Sequence, residues 1–416
     1  MSCAHAAGIR PATFGVLRLP RSIVVGAQQR FAVATIAAEF GTNVLICTDP
    51  RLAVSEELQA LVHSLEDRKL TVRVYGDTQA ELPTPGILAC VEELRGQEID
   101  VIIGFGGGSC MDMAKVVSVL LTHGGKPSDY YGEFAVPGPT KPVIALPTTA
   151  GTGSEATAIA VVSDPDLGMK MGISSPHIIP FAAVCDPELT YSCPPSLTAA
   201  TGADTFVHLV ESFTAITREA TSTLATERVF VGKNILTDSI ALNGIGLVGR
   251  SLVTAYKDPE NTEARAGMML AALYGGVVLS NAGTAAAHAI QYPVGALTHT
   301  PHGVGVGLLL PYVVRHNFQA IRPQLAQIAE ALGRDIRGLD EHAAAVAGVE
   351  AIDEVIAAIE LPPTLRDLGV QESDLAQIAK LSLNSKRLID NNPVPLDLDA
   401  VTSIVNAAYA GDRTIR

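Results

Sequence analysis

The sequence predicts an α/β domain over residues 1–190, followed by an all-helical domain over residues 191–416. Three observations lead to this fold class. The chain has 416 residues, more than one ordinary hydrophobic core accommodates. Its first half alternates short apolar runs with amphipathic segments, whereas its second half carries helical periodicity. Hydrophobic residues make up 48% of the chain and aromatic residues 5%, with no tryptophan, which argues against a β-sandwich.

Apolar runs in the first half are followed by helical segments. NVLICTD (43–49) precedes SEELQALVHSLEDRK, and the strand TVRVYGD precedes GILACVEELRGQ. Further strands are predicted at residues 100–103 and at VIALP (143–147). This alternation predicts parallel βαβ units, in which ligands bind at the carboxyl ends of the strands. IAVVSD (159–164) and MKMGISS (169–175) predict an antiparallel hairpin instead, which leaves a mixed sheet open.

The second half begins after a break at Pro194–Pro195. Four long segments in it place apolar residues at helical spacing, as expected for an all-helical domain. These segments are SLTAATGADTFVHLVESFTA, LTDSIALNGIGLVGRSLVTAYK, TEARAGMMLAALYGGVVLSNA and PQLAQIAEALG.

Charge and composition exclude several classes of function. The net charge of −14 argues against a nucleic-acid partner, because phosphate binding requires concentrated Lys and Arg. No uninterrupted apolar run is long enough to span a bilayer, so no membrane partner is expected. Residues 1–22 carry no long apolar core followed by a cleavage signature, so secretion is not expected. The six cysteines form no CxxC pair and indicate reduced thiols in a cytoplasmic protein.

A glycine-rich turn joins a strand to a helix in VIIGFGGGSCMDMAKVV. Glycines let the backbone approach a diphosphate, and a helix N-terminus offers free N–H donors. Gly107, Gly108 and Ser109 are therefore candidate phosphate-binding residues. A tight turn with packing glycines gives the same pattern. The turn matches neither GxGxxG nor a Walker loop.

A second polar loop, PTTAGTGSE (147–155), follows another predicted strand. Thr148, Thr149 and Thr152 can donate hydroxyls to phosphate or ribose. Asp49 stands at the end of the first strand, where an acidic side chain commonly holds ribose hydroxyls. Because such a carboxylate would repel a 2′-phosphate, NAD is favoured over NADP. An ordinary turn or helix-capping role is the alternative for Asp49.

Four residues of the second half have the chemistry of one divalent-metal site. Asp204 and His208 stand at i, i+4 in a helical segment and therefore project from one face. His288 and His302 bracket HAIQYPVGALTHTPHG, a helix-like segment followed by a loop. One carboxylate with three imidazoles suits Fe(II) or Zn(II), whereas magnesium and calcium prefer oxygen ligands. A buried core histidine is the alternative for each imidazole.

The chain resembles the group III, iron-containing alcohol dehydrogenases in four motifs that occur in order. These are GGGSCMDMAK, ALPTTAGTGSE, the Asp204/His208 helix and HAIQYPVGALTHTPHG. The resemblance extends from about residue 13 to the C-terminus. It implies the dehydroquinate synthase-like architecture of that family, with a Rossmann-like NAD domain, an all-α metal-binding domain and an active site in the cleft between them. It implies metal ligands at Asp204, His208, His288 and His302, and dinucleotide contacts at Asp49, Gly107, Gly108, Ser109, Thr148, Thr149, Thr152, Thr157, Lys170 and Leu189.

The chain departs from the family pattern in three places, one of which is Leu82, where the family has the Asn of an NPT sequence near the adenine. Many members have HxxxHPxG, and Tyr292 takes the place of the second His here. That His lies near the nicotinamide, so Tyr292 and His302 are the predicted catalytic residues, with Tyr292 as proton relay or as packing tyrosine. Residues 216–236 extend the chain relative to many members and predict lengthened helices, a lid or a subunit contact. His299 is open between an alternative ligand, a proton shuttle and a solvated loop residue.

The predicted function is NAD-dependent and metal-dependent hydride transfer between nicotinamide and a small alcohol, aldehyde or hydroxy acid. Phe105, Phe213 and residues 386–395 are placed near the substrate. Hydroxyacid–oxoacid transhydrogenase is the nearest alternative, favoured by Tyr292. Maleylacetate reductase is disfavoured by the four ligands. A dehydroquinate synthase-like lyase would need more Lys and Arg, whereas the apolar ligand segments suit weakly charged substrates. A non-catalytic scaffold protein would not require these motifs together. The oligomeric state implied by the family resemblance is a homodimer.

Overall fold

The computed structural model describes residues 14–415. Within them, nine strands form two sheets. The strands are β1 (Ser22–Val25), β2 (Asn43–Cys47), β3 (Thr71–Tyr75), β4 (Val101–Gly106), β5 (Gly132–Glu133), β6 (Val143–Pro147), β7 (Ile159–Asp164), β8 (Met169–Ser174) and β9 (Ala182–Cys185). The larger sheet has the order β1–β9–β6–β4–β2–β3 and is parallel throughout, with Ile103 of β4 opposite Ile46 of β2 and Ile144 of β6.

The central strands are apolar because both of their faces are covered. Every residue of β4 and of β6 is buried, as expected for interior strands of a parallel α/β sheet. The hairpin prediction is confirmed, since β7 and β8 pair antiparallel. These two strands join β5 in a separate three-stranded sheet, so the larger sheet is not mixed.

The helices of the first half are α1 (Val33–Ala37), α2 (Glu56–Glu66), α3 (Thr84–Glu93) and α4 (Gly108–His123). Helix α2 begins after Ser55, whose Oγ accepts a hydrogen bond from the Leu58 backbone N–H at 3.2 Å. Leu58, Leu61 and Leu65 lie on one face of α2 and are buried against the sheet. The helical spacing read from this segment therefore gives both the element and its buried face.

The second half is helical from Pro195 onward. Its helices are α5 (Pro195–Thr214), α6 (Leu224–Glu227), α7 (Ile235–Lys257), α8 (Thr262–Ala282), α9 (Ala286–Thr298), α10 (His302–His316), α11 (Phe318–Ala331), α12 (Glu341–Ala358), α13 (Leu375–Ser382), α14 (Lys386–Ile389) and α15 (Leu398–Ala410). The four segments predicted from periodicity correspond to α5, α7, α8 and α11. Helix α5 lies at the centre, packed against α7, α8 and α10.

The extension at residues 216–236 does not join α5 and α7 into one continuous helix. It contains the short helix α6 and a loop closed by an antiparallel bridge between Thr217 and Gly232. Val229 and Phe230 of this loop are buried against Ala158 of the first half. The extension thus covers part of the boundary between the two halves of the chain.

Five cysteines lie within the described residues, and all are free thiols, as predicted: Cys47, Cys90, Cys110, Cys185 and Cys193. Cys3 lies outside the described part of the chain. The prediction that no secretion signal is present concerns residues 1–22, most of which also lie outside the described part. Across residues 14–415, no single helix combines the length and hydropathy of a bilayer span. Helices α8 and α9 meet those criteria only when taken together, and they are bent by 104° relative to each other.

Candidate metal and dinucleotide site

Three polar side chains lie on one buried face of α5. Asp204 and His208 are one turn apart, as the i, i+4 spacing predicted, and Glu211 follows on the same face. All three are at most 4% exposed. Buried ionisable groups are costly without partners, so this face of α5 must be matched by polar groups from elsewhere.

Two other helices bring the matching imidazoles to α5. His288 lies in the first turn of α9, and His302 is the first residue of α10. Helix α10 approaches α5 closely at Gly303, where an added Cβ would lie 1.9 Å from the Ala200 carbonyl oxygen. Glycine at this position therefore allows His302 to reach Asp204.

The three imidazoles converge on one carboxylate oxygen. Asp204 Oδ1 lies 3.3 Å from His208 Nε2, 3.7 Å from His288 Nε2 and 3.6 Å from His302 Nε2. Asp204 Oδ1 and His288 Nε2 are buried and make no hydrogen bond within residues 14–415. Ligand atoms of Asp204, His288 and His302 all lie within 4.8 Å of one another. Inward-facing lone pairs with no protein donor are the arrangement that a divalent cation satisfies, so this donor set fits the predicted metal.

Glu211 supports this cluster and was missed at the level of sequence. Its Oε2 lies 2.7 Å from His288 Nδ1, and its two oxygens accept hydrogen bonds from the Ala285 and Ala287 N–H groups at 2.8 and 2.7 Å. Glu211 thereby caps the N-terminus of α9 and fixes the Nδ1–H tautomer of His288, leaving Nε2 to face Asp204. Its position at i+7 from Asp204 was the available sequence signal.

The protonation of the cluster follows from burial and from the two carboxylates. Burial lowers the pKa of His208 to about 4 and that of His302 to about 3, so both rings are neutral at pH 7. Burial also acts to lower the pKa of His288, but the nearby Asp204 carboxylate and the hydrogen bond with Glu211 outweigh it and raise this pKa to about 9. Although burial acts to raise the pKa of Asp204, the three histidines hold it well below its ordinary value.

The glycine turn and the second polar loop lie against each other. Gly107 precedes the first residue of α4, so the turn presents a helix N-terminus, as predicted. An added Cβ at Gly107 would lie 3.7 Å from Thr149 Oγ1, and one at Gly108 would lie 2.8 Å from Thr152 Cγ2. The two loops that were predicted to bind the dinucleotide are thus parts of one surface.

A cavity of 230 Å³ joins this surface to the metal cluster. Five predicted dinucleotide residues line it together with the four predicted metal ligands and Tyr292. The five are Gly108, Ser109, Thr152, Thr157 and Lys170. A second cavity of 410 Å³ shares Lys170, Tyr292 and His302 with the first and extends along the β7–β8 turn and α9.

Thr157 and Lys170 already have protein partners in this cavity. Thr157 Oγ1 accepts a hydrogen bond from the buried Lys115 Nζ at 2.8 Å, which ties α4 to the segment just before β7. Burial lowers the pKa of Lys115 to about 8. Lys170 is half-buried and donates to Glu81 Oε1 at 3.0 Å, so it is not a purely solvated hairpin lysine.

Five predicted dinucleotide residues lie outside the cavity lining: Gly107 and Thr149 of the surface described above, and Asp49, Thr148 and Leu189. Asp49 Oδ1 accepts the N–H groups of Arg51 and Leu52, both at 2.9 Å, so the capping role is present. Thr148 is buried, and its Oγ1 makes no hydrogen bond within residues 14–415. Leu189 packs in the core below the larger sheet.

Tyr292 lies inside the cleft, with its ring centroid 6.2 Å from that of His302. Burial raises the pKa of Tyr292 above its ordinary value, although Arg387 acts in the opposite direction. His299 is exposed in a left-handed conformation at the end of α9, away from the cluster.

Phe105 and Phe213 were placed near the substrate, and the structure contradicts both placements. Phe105 is fully buried in the core of the larger sheet, and Phe213 is buried in the helical core. Of residues 386–395, Arg387 lines the metal-site cavity. Apolar side chains pack equally well into a core or along a cleft, so their identity alone did not separate the two.

Comparison with known protein families shows the family of this chain. A model described as iron-containing alcohol dehydrogenase matches residues 20–187, and one described as the C-terminal part of the Fe-containing alcohol dehydrogenase family matches residues 198–409. The chain belongs to the iron-containing alcohol dehydrogenase family. It is therefore an oxidoreductase that acts on CH–OH groups.

Individual relatives agree with this membership. Long-chain-alcohol dehydrogenase 1 of Geobacillus thermodenitrificans is 34% identical over 372 residues, which are 89% of this chain and 90% of the relative. The structure of a 1,3-propanediol oxidoreductase superposes with a TM-score of 0.89 at 29% identity, covering 95% of this chain and 100% of that chain. Sulfoacetaldehyde reductase from Bifidobacterium kashiwanohense, solved in complex with NAD+, gives a TM-score of 0.81 at 28% identity, with 96% and 100% covered. The predicted family and fold class are confirmed.

Glu211→Gln is expected to lower the affinity of this family member for its metal by about 10–100-fold, the usual cost of losing a supporting partner. The amide retains the size of the side chain but removes the charge that holds His288. Metal retained after dialysis against a graded chelator series measures the effect. Glu350→Gln, an exposed change on α12, is the control. Equal metal retention by the two variants would contradict the role given to Glu211.

Proposed function

We propose that this chain transfers a hydride between NAD and a small alcohol, aldehyde or hydroxy acid in the cleft between its two halves. The convergence of His208, His288 and His302 on Asp204 Oδ1, in a cavity also lined by the glycine turn, carries this proposal. A metal-dependent dehydrogenase needs these two features side by side. The proposed units are residues 1–190 for the dinucleotide and 191–416 for the metal, in agreement with strands that end at Cys185 and helices that begin again at Pro195.

The roles of the residues follow from their positions. Asp204, His208, His288 and His302 would hold Fe(II), or Zn(II), and Glu211 would orient His288. A divalent ion bound there supplies Lewis acidity toward the substrate oxygen. Gly107, Gly108 and Ser109 would hold the diphosphate at the start of α4, with Thr148, Thr149, Thr152, Thr157, Lys170 and Leu189 along the remainder of the dinucleotide. The cleft must then hold the substrate carbon about 3–3.5 Å from nicotinamide C4.

NAD is proposed over NADP because of Asp49. One carboxylate oxygen of Asp49 caps the turn that follows β2, and its other oxygen can still accept a ribose hydroxyl. The NAD+ complex of the related sulfoacetaldehyde reductase supports the same choice.

The proposed function is tested by removing and restoring the metal. Protein stripped with a chelator and dialysed is expected to lose turnover, and Fe(II) or Zn(II) is expected to restore it. Absorbance of the reduced cofactor reports turnover with C2–C6 aldehydes, hydroxy acids and diols, using each nicotinamide in turn. Full turnover by the stripped protein would contradict the proposal.

Tyr292→Phe is expected to lower the rate by about 100-fold or more if the phenol relays a proton, because general acid–base groups contribute on that scale. Metal content should stay the same, since Tyr292 is not among the ligands. The pH–rate profile and metal analysis measure the two effects. Tyr256→Phe, which removes a surface hydrogen bond to Glu360, is the control. A pH–rate profile like that of the wild type would remove Tyr292 from the mechanism.

Hydroxyacid–oxoacid transhydrogenase is the second candidate function, favoured by Tyr292 in the cleft. In that reaction the cofactor stays bound, and a second oxo acid takes back the hydride. Turnover of 2-oxo acids with a hydroxy acid and no added NAD separates the two functions.

We further propose a cytoplasmic homodimer without nucleic-acid or membrane partners. The acidic charge and the free thiols support the location and the absence of those partners. Strand β1 supports the dimer, because it is an edge of the larger sheet and exposes Ile23 and Val25. Light scattering of the purified chain tests the oligomeric state.

A further inference from the structure

Arg387 lies in α14 and lines the same 230 Å³ cavity as the predicted metal ligands. Its guanidinium stacks on the ring of Phe230, with Cζ 4.3 Å from the ring centroid. Its Nη1 atom is buried and has no hydrogen-bond partner within residues 14–415. Burying a cationic donor without an acceptor is costly, so a binding partner for this atom is expected from outside the chain.

The charges around Arg387 do not neutralise it by direct contact. In the described part of the chain, Glu133 and Glu211 act on it only at longer range, and Tyr292 faces it as a phenol. Glu133 Oε2 accepts the Val229 N–H, and Glu211 is bound to α9 and His288. Lys170, another cation of the cavity, is already paired with Glu81. The guanidinium therefore presents a net positive charge to the cavity.

The extension at residues 216–236 fixes this guanidinium in place. Phe230, on which Arg387 stacks, follows Val229, whose carbonyl oxygen accepts a hydrogen bond from Arg18 Nη1 at 2.8 Å. Arg218, also in the extension, donates to the Asp390 carbonyl oxygen at 3.1 Å, just beyond α14. The extension thus holds both the ring below Arg387 and the end of its helix. Arg387 is a positioned side chain rather than a mobile surface arginine.

We propose that Arg387 binds an anionic head group on the substrate, so that the preferred acceptor is a short aldehyde bearing a carboxylate or a sulfonate. This inference rests on the proposed function and specifies its substrate class. A planar guanidinium binds such oxyanions through paired hydrogen bonds, and burial strengthens the interaction. Phe230 and the extension set the distance between head group and carbonyl.

The bond changes themselves do not involve Arg387. Hydride from C4 of the reduced nicotinamide adds to the carbonyl carbon, and the carbonyl oxygen takes up one proton. The oxo acid becomes a hydroxy acid, and NADH becomes NAD+. Arg387 is therefore a specificity-determining residue. The apolar ligand segments favoured weakly charged substrates. The proposal favours anionic ones instead, because Arg387 comes from a distant part of the chain and was not considered with those segments.

The test compares 4-oxobutanoate and sulfoacetaldehyde with butanal, using the metal-loaded enzyme and NADH. The wild type is expected to show a higher kcat/KM for at least one anionic aldehyde than for butanal, and the preferred anion identifies the head group. In Arg387→Met this preference is expected to fall by about 10–100-fold, the scale of one charged hydrogen bond. Arg387→Lys should retain part of it. Lys380→Met, an exposed charge loss on α13, should retain all of it.

A binding measurement separates specificity from folding and turnover. The dissociation constant of succinate, measured by calorimetry, is expected to rise in Arg387→Met and to stay the same in Lys380→Met, with thermal melting as the check on folding. If the kcat/KM of the wild type for butanal equals that for both anionic aldehydes, the anion site is overturned while the proposed function stands. A weaker affinity for NADH with an unchanged preference would also overturn it, since Arg387 would then hold the cofactor. If no aldehyde is reduced with either metal or nicotinamide, the proposed function fails as well.

Discussion

Asp204→Asn is expected to abolish metal retention. Turnover is expected to fall further than it does on loss of a supporting partner, which costs about 10–100-fold. The oxygen at the centre of the cluster lies within 3.7 Å of all three imidazole Nε2 atoms, so one substitution removes the charge on which the whole site depends. Asparagine has the same shape, so packing against α10 is retained. Metal analysis after dialysis and turnover with the best aldehyde measure the two effects.

The control for Asp204→Asn is Asp238→Asn. This change removes a carboxylate that lies on α7 and is paired with Lys233. It makes the same chemical change away from the cleft and should leave metal content intact. A wild-type metal content in Asp204→Asn would show that the histidines bind without this carboxylate, and the proposed ligand set would be wrong. Thermal melting of both variants checks that each remains folded.

Gly276→Ala is expected to destabilise the fold by about 1–3 kcal/mol or more and to weaken NAD binding. Gly276 lies on α8, and an added Cβ would be 2.2 Å from the Gly153 carbonyl oxygen. The reverse change meets the same obstacle, since a Cβ on Gly153 would lie 2.3 Å from Gly276 Cα. Both neighbours are backbone atoms, which cannot rotate away, so loop 147–155 must shift and carry Thr149 and Thr152 with it.

Gly86→Ala is the matched control, because Gly86 is also helical but an added Cβ would meet nothing within 4 Å. That variant should be more stable than the wild type by about 0.5–1 kcal/mol, since alanine is the better helix former. Denaturant unfolding gives the stability changes, and titration with NAD gives the affinities. Wild-type stability and NAD affinity in Gly276→Ala would show that α8 and loop 147–155 do not constrain each other.

Local sequence patterns predicted the correct elements where one physical signal was sufficient. The spacing in SEELQALVHSLEDRK predicted α2 and its buried face, and the hairpin at residues 159–175 was read correctly from two adjoining strand patterns. The i, i+4 pair on α5 also lies on one face, as predicted. Each of these predictions depends on residues close together in the chain, where helix and strand geometry leaves few choices.

Predictions failed or stayed open where two environments accept the same residue type. Phe213 was placed near the substrate and is a core residue, because an apolar side chain suits either place. His299 and His302 are three residues apart, yet His302 begins α10 and faces Asp204 while His299 is exposed. Burial, rather than residue identity, separates these cases. Burial is settled by the packing of helices that are remote in the sequence.

The sequence alone determined the fold class, the glycine turn, the kind of metal suited to the ligands and the family, since spacing and residue chemistry carry that information. Only the tertiary structure decided which polar groups support the metal ligands and which ones line the cavity. Glu211 became a partner of His288 because α9 starts beside α5, and His302 reached Asp204 because Gly303 lets α10 approach. Arg387 enters the cavity because α14 packs on Phe230. These contacts depend on how distant helices cross, which no local pattern encodes.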